Sequence, residues 1–403
     1  MNFKNIKFDN FENIYVYGFG LAGKWFSDNS PKKIKAFIDT DEKKSGRVHN
    51  SISVIKIDEA KKNISKNDLI VVSVVDIQDV VPILKRNFPK NKWVALGFYL
   101  DGNDADGSLI KVQQNLTSHE SVEDKNFINY SLYAVEKCHK AFINKDKFFL
   151  RSIDIVLSEK CSLKCKDCSN LMQFYINPKT FSNNQIVNEF AELTEKISHI
   201  FEVRLIGGEP FMNKEIYDII DYFCNHEKIT RCVIYTNGTI PLKPERLKKY
   251  RNSKLVFALT DYGSLSKNTD KVHDTLLDLK IATRRHVPEN WTDSGRIEDF
   301  KRSTLEMKKL FEACCGKNLL TTMNGRLYRC PFAANAESLK GIPFDSKNSV
   351  RLNSSPEEIS KYTRDIDYIP ACNYCNGRSF DAKEIIPAIQ TPNRKPIKYK
   401  IYN

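Results

Sequence analysis

The stretch Cys161-Ser162-Leu163-Lys164-Cys165-Lys166-Asp167-Cys168 spaces three thiols as C-x3-C-x2-C, directly after a strand candidate running from Ser152 to Leu157. Soft thiolate sulfur suits iron, and three closely spaced thiolates suit a [4Fe–4S] cluster. Three ligands for four irons leave one iron open to bind something else. A zinc site is the competing account, but structural zinc wants four ligands, commonly as paired C-x2-C halves, and the other ligand candidates lie far away in sequence.

Further strand candidates follow at Val203 to Ile206, Cys232 to Thr236, Leu255 to Leu259 and Lys280 to Thr283. Amphipathic helical stretches lie between them, such as Asn184 to Ile197 and Lys214 to Cys224. Repeated strand–helix units predict a parallel sheet, open or curled into a partial barrel, whose active site lies at the strand C-terminal ends. Three polar turns occupy those ends: Leu205-Ile206-Gly207-Gly208-Glu209-Pro210, Tyr235-Thr236-Asn237-Gly238-Thr239 and Thr260-Asp261-Tyr262-Gly263.

Together with the cysteines, these turns resemble the radical S-adenosylmethionine (SAM) superfamily. The resemblance runs from about Ser152 to Cys375. It implies that Cys161, Cys165 and Cys168 ligate the SAM-binding cluster. It further implies that Gly207, Gly208 and Glu209 hold the SAM amino group, with Asn237, Thr260 and Asp261 as further contacts. The implied activity is reductive cleavage of SAM to a 5′-deoxyadenosyl radical, which takes hydrogen from a substrate, with electrons from a flavodoxin- or ferredoxin-type donor. Relatives carry an aromatic residue just before the third cysteine, near the adenine; this chain has Asp167 there.

A second cysteine set reads Cys315, nine residues, Gly325, four residues, Cys330, and then Cys372-Asn373-Tyr374-Cys375. It is similar to the auxiliary-cluster domain called twitch, the shortened relative of SPASM. Four thiolates close the coordination of one auxiliary [4Fe–4S] cluster, which suits electron transfer. Cys314 beside Cys315 makes the first ligand ambiguous, and the spacing favours Cys315. Zinc remains an alternative for this set. Cys138, Cys224 and Cys232 stand apart and read as buried, inert thiols.

Upstream, Ile14 to Tyr17 leads into Gly18-Phe19-Gly20-Leu21-Ala22-Gly23, a helix from Lys24, and a strand Ile34 to Ile38 that ends at Asp39. Strands at Leu69 to Val74 and Trp93 to Phe98 follow. Strand, glycine turn, helix, strand and acidic residue is the order of a Rossmann unit. In such a unit Gly18, Gly20 and Gly23 would let a pyrophosphate approach, and Asp39 would read ribose hydroxyls. The unit resembles the small Rossmann-like domains of surface-sugar enzymes.

The expected architecture is α/β, with a Rossmann-like domain at 1–118 and a helical linker at 119–147. A radical SAM partial (β/α)6 barrel follows at 148–305, and a cysteine-rich auxiliary domain with a basic surface tail at 306–403. A net charge of +13 fits an anionic small-molecule or glycan partner. No usual nucleic-acid motif, membrane span or signal-peptide pattern occurs, so a cytoplasmic protein without a nucleic-acid partner is expected. Arg284, Arg285 and His286 are candidates to face an anionic substrate. The expected substrate is carbohydrate-like, such as a nucleotide sugar or surface glycan, undergoing dehydrogenation or epimerisation. The alternatives are a peptide maturase, and a non-catalytic iron–sulfur or zinc protein that would have no use for Gly207-Gly208-Glu209.

Overall fold

The computed structural model describes residues 6–100, 117–118, 125–143, 148–251, 253–379 and 382–402. The chain forms two compact units, Met1–Leu116 with Glu120–Lys147, and Thr117–His119 with Phe148–Asn403.

In the first unit, Ile14–Tyr17 pairs in parallel with Ala36–Ile38 on one side and Leu69–Val72 on the other. Ile52–Ile55 and Lys92–Ala95 extend the sheet outward in parallel, and Val48–His49 caps the Ile52–Ile55 edge antiparallel. Strand order therefore reverses beside Ile14–Tyr17, the arrangement of a Rossmann switch point. The strand is apolar throughout because both faces are covered: Ile14 and Val16 join one core, Tyr15 and Tyr17 the other.

The helix Lys125–Ile143 corrects the expected linker. Leu132 and Val135 belong to the first unit's core, and Phe142 and Ile143 pack against its opposite face. From this helix the fully buried His139 bridges two strand ends: Nδ1 accepts from Gly97 N (3.1 Å) and Nε2 donates to Val74 O (2.8 Å). Only the neutral ring can do both, and burial pushes its pKa down from 6.5 to about 4. With the folded value below the unfolded one, the stabilisation is complete above pH 6.5 and is lost as the pH falls toward 4. At 1.36 kcal/mol per unit this amounts to about 3 kcal/mol. Amide exchange in Ile14–Tyr17 and Leu69–Val72, corrected for intrinsic rates, should lose protection between pH 7 and 4.5. The loss should be smaller in a His139→Gln variant, and a flat wild-type profile would refute this role.

The second unit centres on five parallel strands: Phe149–Val156, His199–Ile206, Ile229–Thr236, Leu255–Thr260 and Ala282–His286. Every second residue faces the helices Asn183–Thr194 and Ile216–Asn225. Ile153, Ile155, Val203, Leu205, Cys232, Ile234 and Phe257 pack there with Phe190, Ile220 and Phe223. The sheet is open, with Ser349–Arg351 at one edge and Thr117–Ser118 at the other.

Residues 306–403 do not form a separate body. Thr321–Met323 pairs in parallel with Phe149–Val156, and Arg326–Tyr328 and Ser349–Arg351 continue the same sheet. The basic surface tail is laid on this unit: Ile397 N donates to Gln173 O (2.9 Å) and Tyr402 N to Lys340 O (2.8 Å). No helix among the described residues is long and apolar enough to cross a membrane.

Candidate active site

The loop after Phe149–Val156 gathers Cys161, Cys165 and Cys168 closely enough that Cys165 and Cys168 perturb Cys161, and Cys168 perturbs Cys165. Burial pushes all three upward, Cys165 to about 11, so the free thiols stay protonated and metal binding would release the protons. Backbone donors lie near the sulfurs: Leu163 N–H near Cys161, and the N–H groups of Asn170 and Met172 near Cys168, while Leu171 N donates to Cys168 O (2.9 Å). The Lys164 ammonium lies near Cys161 and Cys168. Three buried thiols ringed by N–H donors and a cation fit the anionic sulfurs of a [4Fe–4S] cluster. Among the described residues no three His, Cys, Asp or Glu side chains group around one metal ion; in a four-iron cluster each thiolate takes its own iron.

The glycine turn after His199–Ile206 packs directly on this loop. A Cβ on Gly208 would overlap Lys160 O and come within 2.8 Å of Cys161 Cβ, so only glycine fits. Gly208 N donates to Ser158 O and Glu209 N to Lys160 O, both at 2.8 Å. Glu209 is held within the protein by three hydrogen bonds. It is fully buried, with Oε1 accepting from Thr236 Oγ1 (2.8 Å) and Phe211 N (3.2 Å), and Oε2 from Asn237 N (2.8 Å). Burial raises its pKa to about 7 against those bonds. Its carboxyl pins one strand-end turn to the next. Asn237 continues the chain of contacts, donating to Ser162 Oγ (3.1 Å) and lying 3.7 Å from Cys161 Sγ.

Thr260 is half-buried at the end of its strand. Asp261 is taken up within the protein: Oδ2 accepts from Arg285 Nε (2.9 Å) and Nη2 (2.5 Å), Oδ1 from Gly263 N (2.8 Å). Arg285 also pairs with Asp270 at 2.8 Å, which corrects its expected role toward an anionic substrate. Strand alternation is the cause. Arg285 lies opposite Leu259 on the helix-covered face, whereas Arg284 and His286 fall on the other.

Four neighbours of the cysteine loop were not foreseen from sequence. Tyr262 lies within electrostatic reach of all three thiols and packs edge-on against Trp291. The two rings help build the apolar shell of Leu163, Cys165 and Ala388. Arg296 reaches Asp167 Oδ1 at 3.3 Å, and Gln390 meets Cys165. Tyr262, as an aromatic residue in a strand-end turn, was the one available signal.

The second cysteine set is also brought together, but through Cys314. Cys314 perturbs Cys330, Cys372 and Cys375, whereas Cys315 is exposed beside Arg378. The turn Cys315–Asn318 begins there, and Gly316 N donates to Cys314 Sγ (3.3 Å), which corrects the expected ligand Cys315. Arg302 Nη1 clasps the C-x2-C loop, donating to Cys372 O (2.7 Å) and Cys375 O (2.8 Å).

In the first unit, a Cβ on Gly23 would overlap Gly18 O, while Gly20 faces open space. Asp39 is engaged internally: Oδ2 accepts from Phe19 N (2.9 Å) and pairs with Lys44 (3.1 Å), and Oδ1 accepts from Asp41 N (2.9 Å). Through Phe19 N it braces the glycine turn.

Residues 155–294 match the sequence profile of the Radical SAM superfamily. A GTP 3′,8-cyclase of Syntrophomonas wolfei is 25% identical over 173 residues, covering 39% of this chain and 52% of that protein. Another, from Clostridium acetobutylicum, is 29% identical over 176 residues, covering 39% and 54%. The chain thus spans about half the length of these curated relatives. Among solved structures, BtrN with AdoMet and 2-DOIA aligns at 17% identity and TM-score 0.38, covering 54% of this chain and 83% of that one. AnSMEcpe with AdoMet aligns at 13% and 0.39, covering 54% and 82%. Radical SAM proteins work with a [4Fe–4S] cluster and SAM, and the cysteine loop and the turns at Gly208 and Asn237 fall inside the matched range. This chain carries a Radical SAM superfamily domain.

Proposed function

We propose that the protein takes a hydrogen atom from a polar, phosphate-bearing substrate of nucleotide or carbohydrate type, with dehydrogenation or epimerisation as the outcome. Bound at the cysteine trio, the cluster and SAM supply a carbon radical able to abstract that hydrogen. The observation that carries the substrate class is the sheet face turned away from the helices. On the strands that end at the site it bears Asp154, Glu202, Arg204, Arg231, Tyr235 and Arg284 instead of apolar residues. Arg204 pairs with Asp154 at 2.6 Å, and Arg231 reaches Glu202 at 3.9 Å. Asp154 is 4% exposed and is taken up by Arg204 Nε, while the buried Arg204 Nη2 has no hydrogen bond. A polar ligand would supply the missing partner.

Three arginines against two carboxylates favour an anion, and relatives whose name makes GTP their substrate support the same class. Tyr235, 42% exposed on this face, offers a phenol for a hydroxyl or ring. Cys314, Cys330, Cys372 and Cys375 would hold a second cluster, and a small flavoprotein or ferredoxin would supply electrons. The test is transfer of deuterium into 5′-deoxyadenosine from labelled nucleotides, sugar phosphates, nucleotide sugars, glycans and peptides. Transfer from a phosphorylated substrate is expected, weakened at least tenfold in kcat/KM by Arg204→Met, the loss of one charged contact worth about 1.5–3 kcal/mol. Transfer from a peptide alone would overturn the proposal. A product lighter by a hydrogen pair marks dehydrogenation; an unchanged mass with one solvent deuterium gained marks epimerisation.

A further inference from the structure

We infer that Gln390, from the far end of the chain, tunes the cluster at the cysteine trio by donating a hydrogen bond to the Cys165 thiolate. This rests on the trio being the cluster's ligand set. The segment around Gln390 lies antiparallel along the cysteine loop. Lys166 N donates to Ile389 O (2.8 Å), Thr391 N donates to Lys164 O (2.7 Å), and Cys165 and Gln390 form the bridge between them. Ala388, 4% exposed, takes a left-handed backbone (φ 56°) as the chain turns onto the loop.

The Gln390 side chain completes the clasp. Its Oε1 accepts from Lys164 N at 2.8 Å, and its Nε2 lies 3.3 Å from Cys165 Sγ and 2.8 Å from Ala388 O. The amide orientation follows from chemistry. Lys164 N–H can only donate and Ala388 O can only accept, so oxygen must face the first and nitrogen the second. That leaves an N–H for the sulfur.

Cys168 has backbone N–H groups beside it in the loop and Cys161 also meets Asn237 Nδ2 at 3.7 Å, whereas the side-chain donor to Cys165, at 3.3 Å, arrives from 225 positions away. A hydrogen bond to a cluster sulfur draws off negative charge and favours the reduced cluster, which is more negative. Gln390 is therefore a positioning residue that raises the cluster's potential.

The test uses the reconstituted holoprotein and follows the cluster whose reduced EPR signal changes on adding SAM. Gln390→Met keeps the length without a donor. Gln390→Glu keeps the acceptor for Lys164 N but sets a carboxylate against the thiolate. At unchanged iron content, both should lower the reduced-to-oxidised ratio at fixed potential about tenfold, a shift of about 59 mV for one electron. The Glu variant should regain part of the loss as falling pH protonates its carboxyl. Unchanged potentials in both variants would overturn the inference. If either loses iron, wild-type protein carrying side-chain 15N-glutamine decides: weak nitrogen coupling to the reduced cluster is expected, and its absence would overturn the role. A wild-type protein with no SAM-responsive cluster would instead refute the trio as ligands.

Discussion

Replacing Cys161, Cys165 and Cys168 together by Ala should reduce release of 5′-deoxyadenosine from SAM to background, while about four irons per chain remain on the other cysteine set. The complete loss follows from what the loop offers. Its N–H groups at Leu163, Asn170 and Met172 and the Lys164 ammonium lie near the sulfurs and favour their anionic form. Without thiolates they have no iron to support. The second set should survive because Cys314, Cys330, Cys372 and Cys375 lie together and the C-x2-C loop is clasped by Arg302, not by the first loop. Iron and sulfide analysis of anaerobically reconstituted protein, with chromatography of the SAM products, checks both halves. Release of 5′-deoxyadenosine by the triple variant would remove these cysteines from the catalytic role.

The parts of the site legible in the sequence are those a strand and its following turn decide locally. Gly208 and Asn237 each follow an apolar strand by one or two residues, and both lie against the cysteine loop. What was not legible depends on contacts from elsewhere. Gln390 has no feature in its own neighbourhood that announces a thiol partner; only the fold brings it to Cys165. Arg284 and Arg285 look alike in a basic run, yet strand alternation sends one to the open face and the other to Asp261 and Asp270. The charges of Glu209 and Asp39 stand out in the sequence, but the Asn237 and Phe19 N–H groups that each accepts from belong to other turns and are brought near only by the fold. The helix Lys125–Ile143 was recognised as helical, whereas the core that Leu132 and Val135 complete was not.

The choice between adjacent cysteines gives the sharpest contrast. Reconstituted wild-type protein should hold about eight irons, the sum for two four-iron clusters. Cys314→Ser should hold about four, and Cys315→Ser about eight. Spacing alone pointed to Cys315, which fits C-x9-G-x4-C with Gly325 and Cys330, while Cys314 stands one residue off that pattern. Local geometry decides otherwise. The helix Thr304–Ala313, capped by the reciprocal Ser303–Glu306 pair, ends at Cys314, whose backbone is extended, and a tight turn starts at Cys315. That reversal turns the two side chains apart. Cys314 faces Cys330, Cys372 and Cys375 and takes the Gly316 N–H, while Cys315 is left at the surface with its backbone N donating to Arg378 O (2.9 Å). Serine keeps the size and removes the soft ligand, so the fold should tolerate both changes while the iron count separates them. Zinc in place of the second cluster would show as about four irons plus one zinc in wild-type protein. Equal iron loss in both serine variants would mean that the turn rearranges on binding and that the thiols are exchangeable.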